Sequence, residues 1–239
     1  MLRAAAAVLV AALLAAATAS PGPTLFNGTT VAGAYRVLGG PLDGMFDSPL
    51  LALTLPAADV VTFSANAKTY VVANGSSVFD TLTTPAFTGL GPGSAPSDFD
   101  ACGAWLNAAW PHPNTSDSGG GGGGGITGFY HAEWACDYAH DFQTNKSIGY
   151  ALSGDGGATF VKVNHPDNVI IAAANYTAAH QTGDGDHGVV QALDGAFLHL
   201  YFIEWDGYGG GATVGVARTP INATSPSSTG VPGSWTKWH

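Results

Sequence analysis

Apolar and polar residues alternate in short runs along most of this chain, and the helical period is almost absent. The pattern predicts strands at Gly103–Ala109, Gly128–Trp134, Ser147–Leu152 and Phe160–Val163. It predicts more at Gly188–Ala192, Leu198–Trp205, Thr213–Arg218 and Ser234–Trp238. Upstream, Asp59–Ser64, Lys68–Ala73 and Ser77–Leu82 read as three strands separated by turns at Asn66 and Asn74-Gly75. Only Ala57–Ala67 admits a short helix, and there Val60, Val61 and Phe63 favour a strand.

These runs recur as a unit. Tyr130-x-x-Glu133-Trp134 aligns without a gap with Tyr201-x-x-Glu204-Trp205, each with one run before it and two after. Four short strands repeating over about 70 residues is the pattern of propeller blades. The expected fold is therefore all-β: a β-propeller of four-stranded antiparallel blades, near 57–97, 98–165 and 184–239. About three blades are fewer than a closed ring needs, so the chain reads as truncated, with edges and one face of its core exposed.

Composition agrees with strands and turns: 46% of residues are hydrophobic, only 10% are charged, and there are 34 glycines and 14 prolines. The net charge of −10 and the seven scattered Lys and Arg exclude a nucleic-acid partner and favour a neutral ligand such as a sugar. Residues 1–19 read as a secretory signal peptide: Arg3, an alanine-rich apolar run, then Ala17-Thr18-Ala19 before Pro21. An uncleaved anchor is the alternative; after cleavage no membrane association is expected, and residues 20–239 form the domain. N-x-[ST] triplets at Asn27, Asn74, Asn114, Asn145, Asn175 and Asn222 point the same way, to a secreted, surface-glycosylated protein. Cys102 and Cys136 are either a disulfide or two buried thiols, the first favoured by an oxidising compartment. Within 114–125, the seven glycines 119–125 can build no core and read as a disordered insertion.

One local motif is specific. Ser153-Gly-Asp155-Gly-Gly157-Ala-Thr159-Phe160 satisfies every fixed position of the pattern S-x-D-x-G-x-T-[WF]. It resembles the Asp-box of sialidases and other propellers, which caps the hairpin between a blade's third and fourth strands. Ser153, Asp155, Gly157, Thr159 and Phe160 are accordingly expected to be structural: a carboxylate accepting turn N–H groups and an aromatic anchor. More broadly, GFYHAEW, SIGYALSGDGGATF, GDGDHGVV and LHLYFIEW resemble secreted glycoside hydrolase-like propellers, the five-bladed arabinanase and xylosidase type included. Those enzymes usually carry Glu where Asp186 stands here. Arg36 and Arg218 are the only arginines after the signal, so the arginine triad of sialidases is absent.

The resemblance implies glycosidic bond cleavage by paired carboxylates, one protonated near neutral pH. Glu133 is the candidate acid, its pKa raised beside Trp134 and His131, and Asp186 or Asp100 the candidate base. By alternation His131 and Glu133 share one strand face, so a structural pair is the competing reading, and Glu204 at the repeated position strengthens it. His131, His187, Trp105, Trp134 and Glu204 are candidate sugar contacts, with Trp110 and Trp205 as further platforms. Asp98 resembles Asp100 in position; Asp43 and Asp47 are weaker candidates without a repeat around them. No metal site is assigned: Asp184-Gly185-Asp186-His187 offers only a weak Ca²⁺ signal, and His131 with His140 is too isolated for zinc. The sequence thus reads as a secreted glycosidase-like protein acting on a polysaccharide or glycan. The alternatives are a non-catalytic propeller binding carbohydrate or protein, or an inactive fragment.

Overall fold

The computed structural model describes residues 51–55, 59–75, 81–112, 125–139, 143–172, 181–206 and 211–238. The signal peptide, Asp43, Asp47, Asn27, Asn114, Asn175, His140 and nearly all of the glycine run lie outside these residues. The described residues are all-β in two sheets, apart from a 3-10 turn at Pro226–Ser228.

The first sheet is an antiparallel meander of β1 (Leu51–Thr54), β2 (Asp59–Ala65), β3 (Lys68–Gly75) and β4 (Thr81–Phe87). The region that admitted a helix is strand β2, as its β-branched residues require. Asn66 and Ala67, both at positive φ (50° and 63°), close the β2–β3 hairpin in the two-residue form whose twist suits antiparallel strands. Of the strand expected at Ser77–Leu82, residues 77–80 lie outside the described residues and Thr81 and Leu82 begin β4, while β1 was not anticipated from four residues of sequence.

The second sheet holds β5 (Gly103–Pro111), β6 (Ile126–Asp137), β7 (Gln143–Ser153), β8 (Val169–Ala172), β9 (Gln181–Gln191), β10 (Phe197–Asp206), β11 (Ala212–Pro220) and β12 (Thr236–Trp238). Its order is β12-β11-β10-β9-β7-β6-β5, with β8 also on β7. All pairs are antiparallel except β7 with β9, which run parallel over Thr144↔Gln181, Asn145↔Thr182 and Lys146↔Gly183. Those three pairs fuse the stretches 98–165 and 184–239, expected as separate blades, into one hydrogen-bonded sheet. Among the described residues no closed ring forms.

β6 is the middle layer, and nearly every residue of Ile126–Glu133 is buried. Tyr130 and Ala132 face one core with Val60, Val71, Leu90, Leu106 and Phe160. Phe129 faces the other, with Ile148, Tyr150, Leu198, Leu200 and Phe202. Alternation along the strand then turns His131 and Glu133 to the Phe129 side, toward β9. Two bulges interrupt the ladders on that side. Asn107 is the extra residue of β5 between Leu106↔Tyr130 and Ala108↔Phe129. Asp186 and His187 together oppose Phe202 on β10, with Asp186 at φ 41°.

The Asp-box residues form a self-bonded turn after β7. Asp155 accepts the Thr159 N–H (2.9 Å) and hydroxyl (2.6 Å) and the Ser153 hydroxyl (2.9 Å). Ser153 Oγ in turn accepts the Gly157 N–H (2.8 Å), and Phe160 is buried in the first core. The strand expected beyond it is reduced to one bridge, Leu152↔Val161, and the residues after it supply β8 instead.

Candidate functional site

The bulges of β5 and β9 open a cleft of about 530 Å³ over the end of β6. Its walls include Trp105 and Asn107 from β5, His131 and Glu133 from β6, Lys146 from β7 and Asp186 from β9. Tyr138, just past β6, Cys102, just before β5, and the Asn66-Ala67 turn of the first sheet also border it. Cys102 and Cys136 are joined as a disulfide (Cα–Cα 6.4 Å) that ties the start of β5 to the end of β6 beside this cleft.

One row of cross-strand neighbours runs through the site: Gly103, Glu133, Lys146, Gly183 and Trp205 lie opposite one another on β5, β6, β7, β9 and β10, and Glu133 and Lys146 line the cleft. Glu133 is buried and accepts three hydrogen bonds. Lys146 Nζ (2.5 Å) and His131 Nε2 (3.0 Å) donate to Oε1, and the Tyr138 hydroxyl donates to Oε2 (2.6 Å). Burial pushes this carboxyl upward, but the His131 hydrogen bond and the Lys146 charge outweigh it and bring the pKa to about 2. The sequence reading expected the opposite shift, because it counted Trp134 and His131 and did not see Lys146. A carboxyl ionised this firmly is no general acid in the resting protein.

Asp186 contrasts with it. Its side chain is 52% exposed to the cleft, and the described residues offer its carboxylate no hydrogen-bond donor. Its backbone N–H donates to His131 Nδ1 (3.0 Å), and its Oδ1 lies 3.4 Å from that same nitrogen. His131 therefore stands between the two carboxylates, one at each ring nitrogen. Trp105 packs edge-on against the ring, with centroids 5.5 Å apart.

The other sequence candidates are elsewhere. Asp100 is fully buried, accepting from His165 Nε2 (2.8 Å), Lys162 Nζ (2.5 Å) and the Tyr130 hydroxyl (3.1 Å). It is a structural hub and cannot serve as base for a ligand in the cleft. Asp98 accepts the Ala95 N–H (2.8 Å) in the adjoining turn. Glu204 pairs with Lys237 (2.9 Å), which also holds the buried Asp184. His187 binds the Phe129 carbonyl through Nε2 (3.0 Å), and burial pushes its pKa down to about 3. Trp110 is buried, donating to Gln191 (2.9 Å); Trp134 is half-buried on the opposite face of β6 from Glu133. Trp205 carries the Lys146 ammonium over its ring.

The weak Ca²⁺ signal disperses, since Asp184 holds Lys237 and His187 binds the Phe129 carbonyl, leaving Asp186 as the one carboxylate of that run open to the cleft. Among the described residues, Asp98, Asp100 and His165 are grouped closely enough to hold a metal ion. The Lys162 ammonium already sits on Asp100 there, supplying the positive charge such an ion would bring. Of the glycosylation triplets, Asn145 lies buried on β7, contrary to the surface position expected of it. Asn222 is on the surface side of a turn, its Oδ1 accepting the Thr224 hydroxyl (2.9 Å).

Sequence reasoning missed Lys146, Tyr138 and Asn107. Lys146 had a legible signal, because Glu133 and Lys146 fall opposite each other once Trp134 and Asn145 are paired across the hairpin. Asn107 had none, since a bulge is set by the partner strand. Comparisons with protein families, with curated proteins and with solved structures found no match to this chain.

Proposed function

We propose that this is a secreted carbohydrate-binding protein on a propeller-like scaffold of the glycoside hydrolase type, with the Trp105–His131–Asp186 cleft as its glycan site. The observation that carries the reading is Asp186, a half-exposed carboxylate held on a positive-φ bulge with no protein donor among the described residues. A carboxylate so placed accepts hydroxyl donors, and Asn107 and the Trp105 indole add polar and apolar contact within the same cleft. The four-stranded meander β1–β4 and the Asp-box turn support the propeller-like scaffold.

Hydrolysis is the second reading, favoured by one distance. Glu133 and Asp186 contact opposite nitrogens of one ring, at 3.0 and 3.4 Å. That limits the nearer oxygens to at most about 9 Å apart, which keeps both carboxylates within reach of one glycosidic bond. Against it stands the ionised Glu133, which leaves the pair without its acid, so binding without turnover is the conclusion. Calorimetric titration with neutral arabino-, xylo- and gluco-oligosaccharides, alongside a reducing-sugar assay, tests it. The expected result is saturable binding lost in Asp186→Asn, with no sugar released. Turnover that disappears in Glu133→Gln would establish hydrolysis instead, and no binding by the wild type would remove the site.

A further inference from the structure

A backbone N–H can only donate, so the Asp186 N–H aimed at His131 Nδ1 makes that nitrogen the acceptor. The ring proton then resides on Nε2, where it donates to Glu133 Oε1. Gly185 makes the approach feasible: a Cβ there would overlap Nδ1 and Cε1 of the ring. The imidazole is thus clamped edge-on to the β9 backbone at the bulge that presents Asp186.

We propose that His131 is a positioning residue that, while neutral, holds the Asp186 carboxylate out into the cleft and, on protonation, draws it back. The role in ligand binding rests on the carbohydrate reading above; the coupling between the two residues does not. A proton added at Nδ1 would face the Asp186 N–H, so that hydrogen bond must break. Oδ1 of Asp186, 3.4 Å away, is the acceptor ready to take the new N–H. The bulge changes its peptide orientation, and the carboxylate leaves the cleft to pair with the ring.

The titratable groups around the ring act consistently. Glu133, on the same strand, is already committed to Lys146 of β7 and Tyr138. β9 contributes Asp186 and His187, and His187 stays neutral beside it because burial holds its pKa near about 3. β5 contributes the Trp105 edge, which carries no charge.

Long-range proton–nitrogen NMR of the ¹⁵N-labelled mature chain tests the coupling without a ligand. The expected spectrum shows the Nε2–H tautomer at neutral pH and a downfield Asp186 amide that shifts in the same acid step as His131. Two variants separate the two ring nitrogens. In His131→Asn the amide oxygen stands in for Nδ1 and should retain the downfield Asp186 amide; His131→Gln stands in for Nε2 and should lose it. The acid step should vanish from both. With the best oligosaccharide for the wild type, His131→Asn should bind within about threefold and His131→Gln about tenfold more weakly at neutral pH, the loss of one positioning hydrogen bond. An Nδ1–H tautomer, or an Asp186 amide indifferent to His131 protonation, overturns the proposal. So do His131→Gln and His131→Asn spectra that match. If no sugar binds the wild type, the carbohydrate reading falls and the NMR result decides the coupling alone.

Discussion

Lys146 and Trp205 meet across a residue that has no side chain. The Lys146 ammonium lies 4.8 Å from the centroid of the Trp205 ring, reaching over Gly183, its parallel partner on β9. Gly183 sits at φ 105°, and a Cβ there would collide with the Lys146 carbonyl oxygen. The glycine therefore permits both the parallel pairing and the passage of the lysine. With Glu133 on its other side, Lys146 is a buried cation held between a carboxylate and an indole face.

Removing that cation leaves Glu133 buried and uncompensated. Lys146→Met is expected to lower stability by about 3–5 kcal/mol, the cost of breaking one partner of a buried ion pair. Adding Glu133→Gln should recover much of it, because the orphaned charge goes too. Urea denaturation of the two variants checks this. A Lys146→Met protein as stable as the wild type would mean the pair does not form.

Stability should fall with acid in two windows. His187 has its folded pKa lowered to about 3 against an ordinary 6.5, so the unfolded chain binds the proton first. Its contribution is complete above pH 6.5 and drains away as pH falls toward 3, up to about 5 kcal/mol. Glu133, lowered from 4.5 to about 2, contributes fully above 4.5 and loses its share between 4.5 and 2, about 3 kcal/mol. Denaturation midpoints measured from pH 8 to 2 should show the upper window flattened in His187→Phe and the lower one in Glu133→Gln. Parallel curves for the wild type and both variants would contradict these assignments.

The two windows belong to residues of unequal legibility. Strand β6 and the common face of His131 and Glu133 could be read from period-two alternation, because both faces of β6 are filled and its aromatic run is long. β1 and β8 could not, since runs of three or four apolar residues fit any element and only their neighbours make them strands. At the cleft, the residue types were visible but their electrostatics were not. Whether Glu133 is an acid or a locked carboxylate depends on Lys146, one strand away. Whether Asp186 is exposed depends on a bulge opposite Phe202. Fusion of the two expected blades likewise hinges on three parallel pairs and a glycine, which no repeat pattern encodes.

Asp155 is expected to matter for stability and not for the cleft. Its carboxylate is exposed at the turn and bonded to Thr159 and Ser153. Asp155→Ala should cost about 1–2 kcal/mol, the scale of turn hydrogen bonds lost without burying an orphan. Thermal melting reads the cost, and unchanged His131 and Asp186 resonances show that the cleft is untouched. A variant that lost those resonances would tie the turn to the site.

The disulfide should be the main tie at the cleft rim. Cys102 and Cys136 close a segment of 34 residues, for which chain entropy predicts about 3–4 kcal/mol. The double variant Cys102→Ala/Cys136→Ala should be destabilised by that order. Hydrogen exchange should rise first at Cys102–Gly103, whose N–H groups bond Glu133 O and Asp100 O. Exchange that rises uniformly along the sheet would show the bridge acting on the whole fold instead.

Asn145 separates a sequence motif from a usable site. The triplet Asn145-Lys146-Ser147 lies within β7, with Asn145 buried and registered to Thr182 of β9 and Trp134 of β6. Asn145 alternates with Lys146 along β7, so its side chain lies on the other face of the sheet, where it is buried. A glycan attached there before folding could not be accommodated in that packed face. The folded population is therefore expected to carry no glycan at Asn145. Asn222, in a turn outside the strands, has no such barrier beyond releasing its hydrogen bonds to Thr224, Ser225 and Ser228. Peptide mass spectrometry after enzymatic deglycosylation in heavy-oxygen water reads both positions on one sample. Label at Asn145 in protein that still shows the Lys146–Glu133 stability signature would contradict the burial of Asn145 in the sheet.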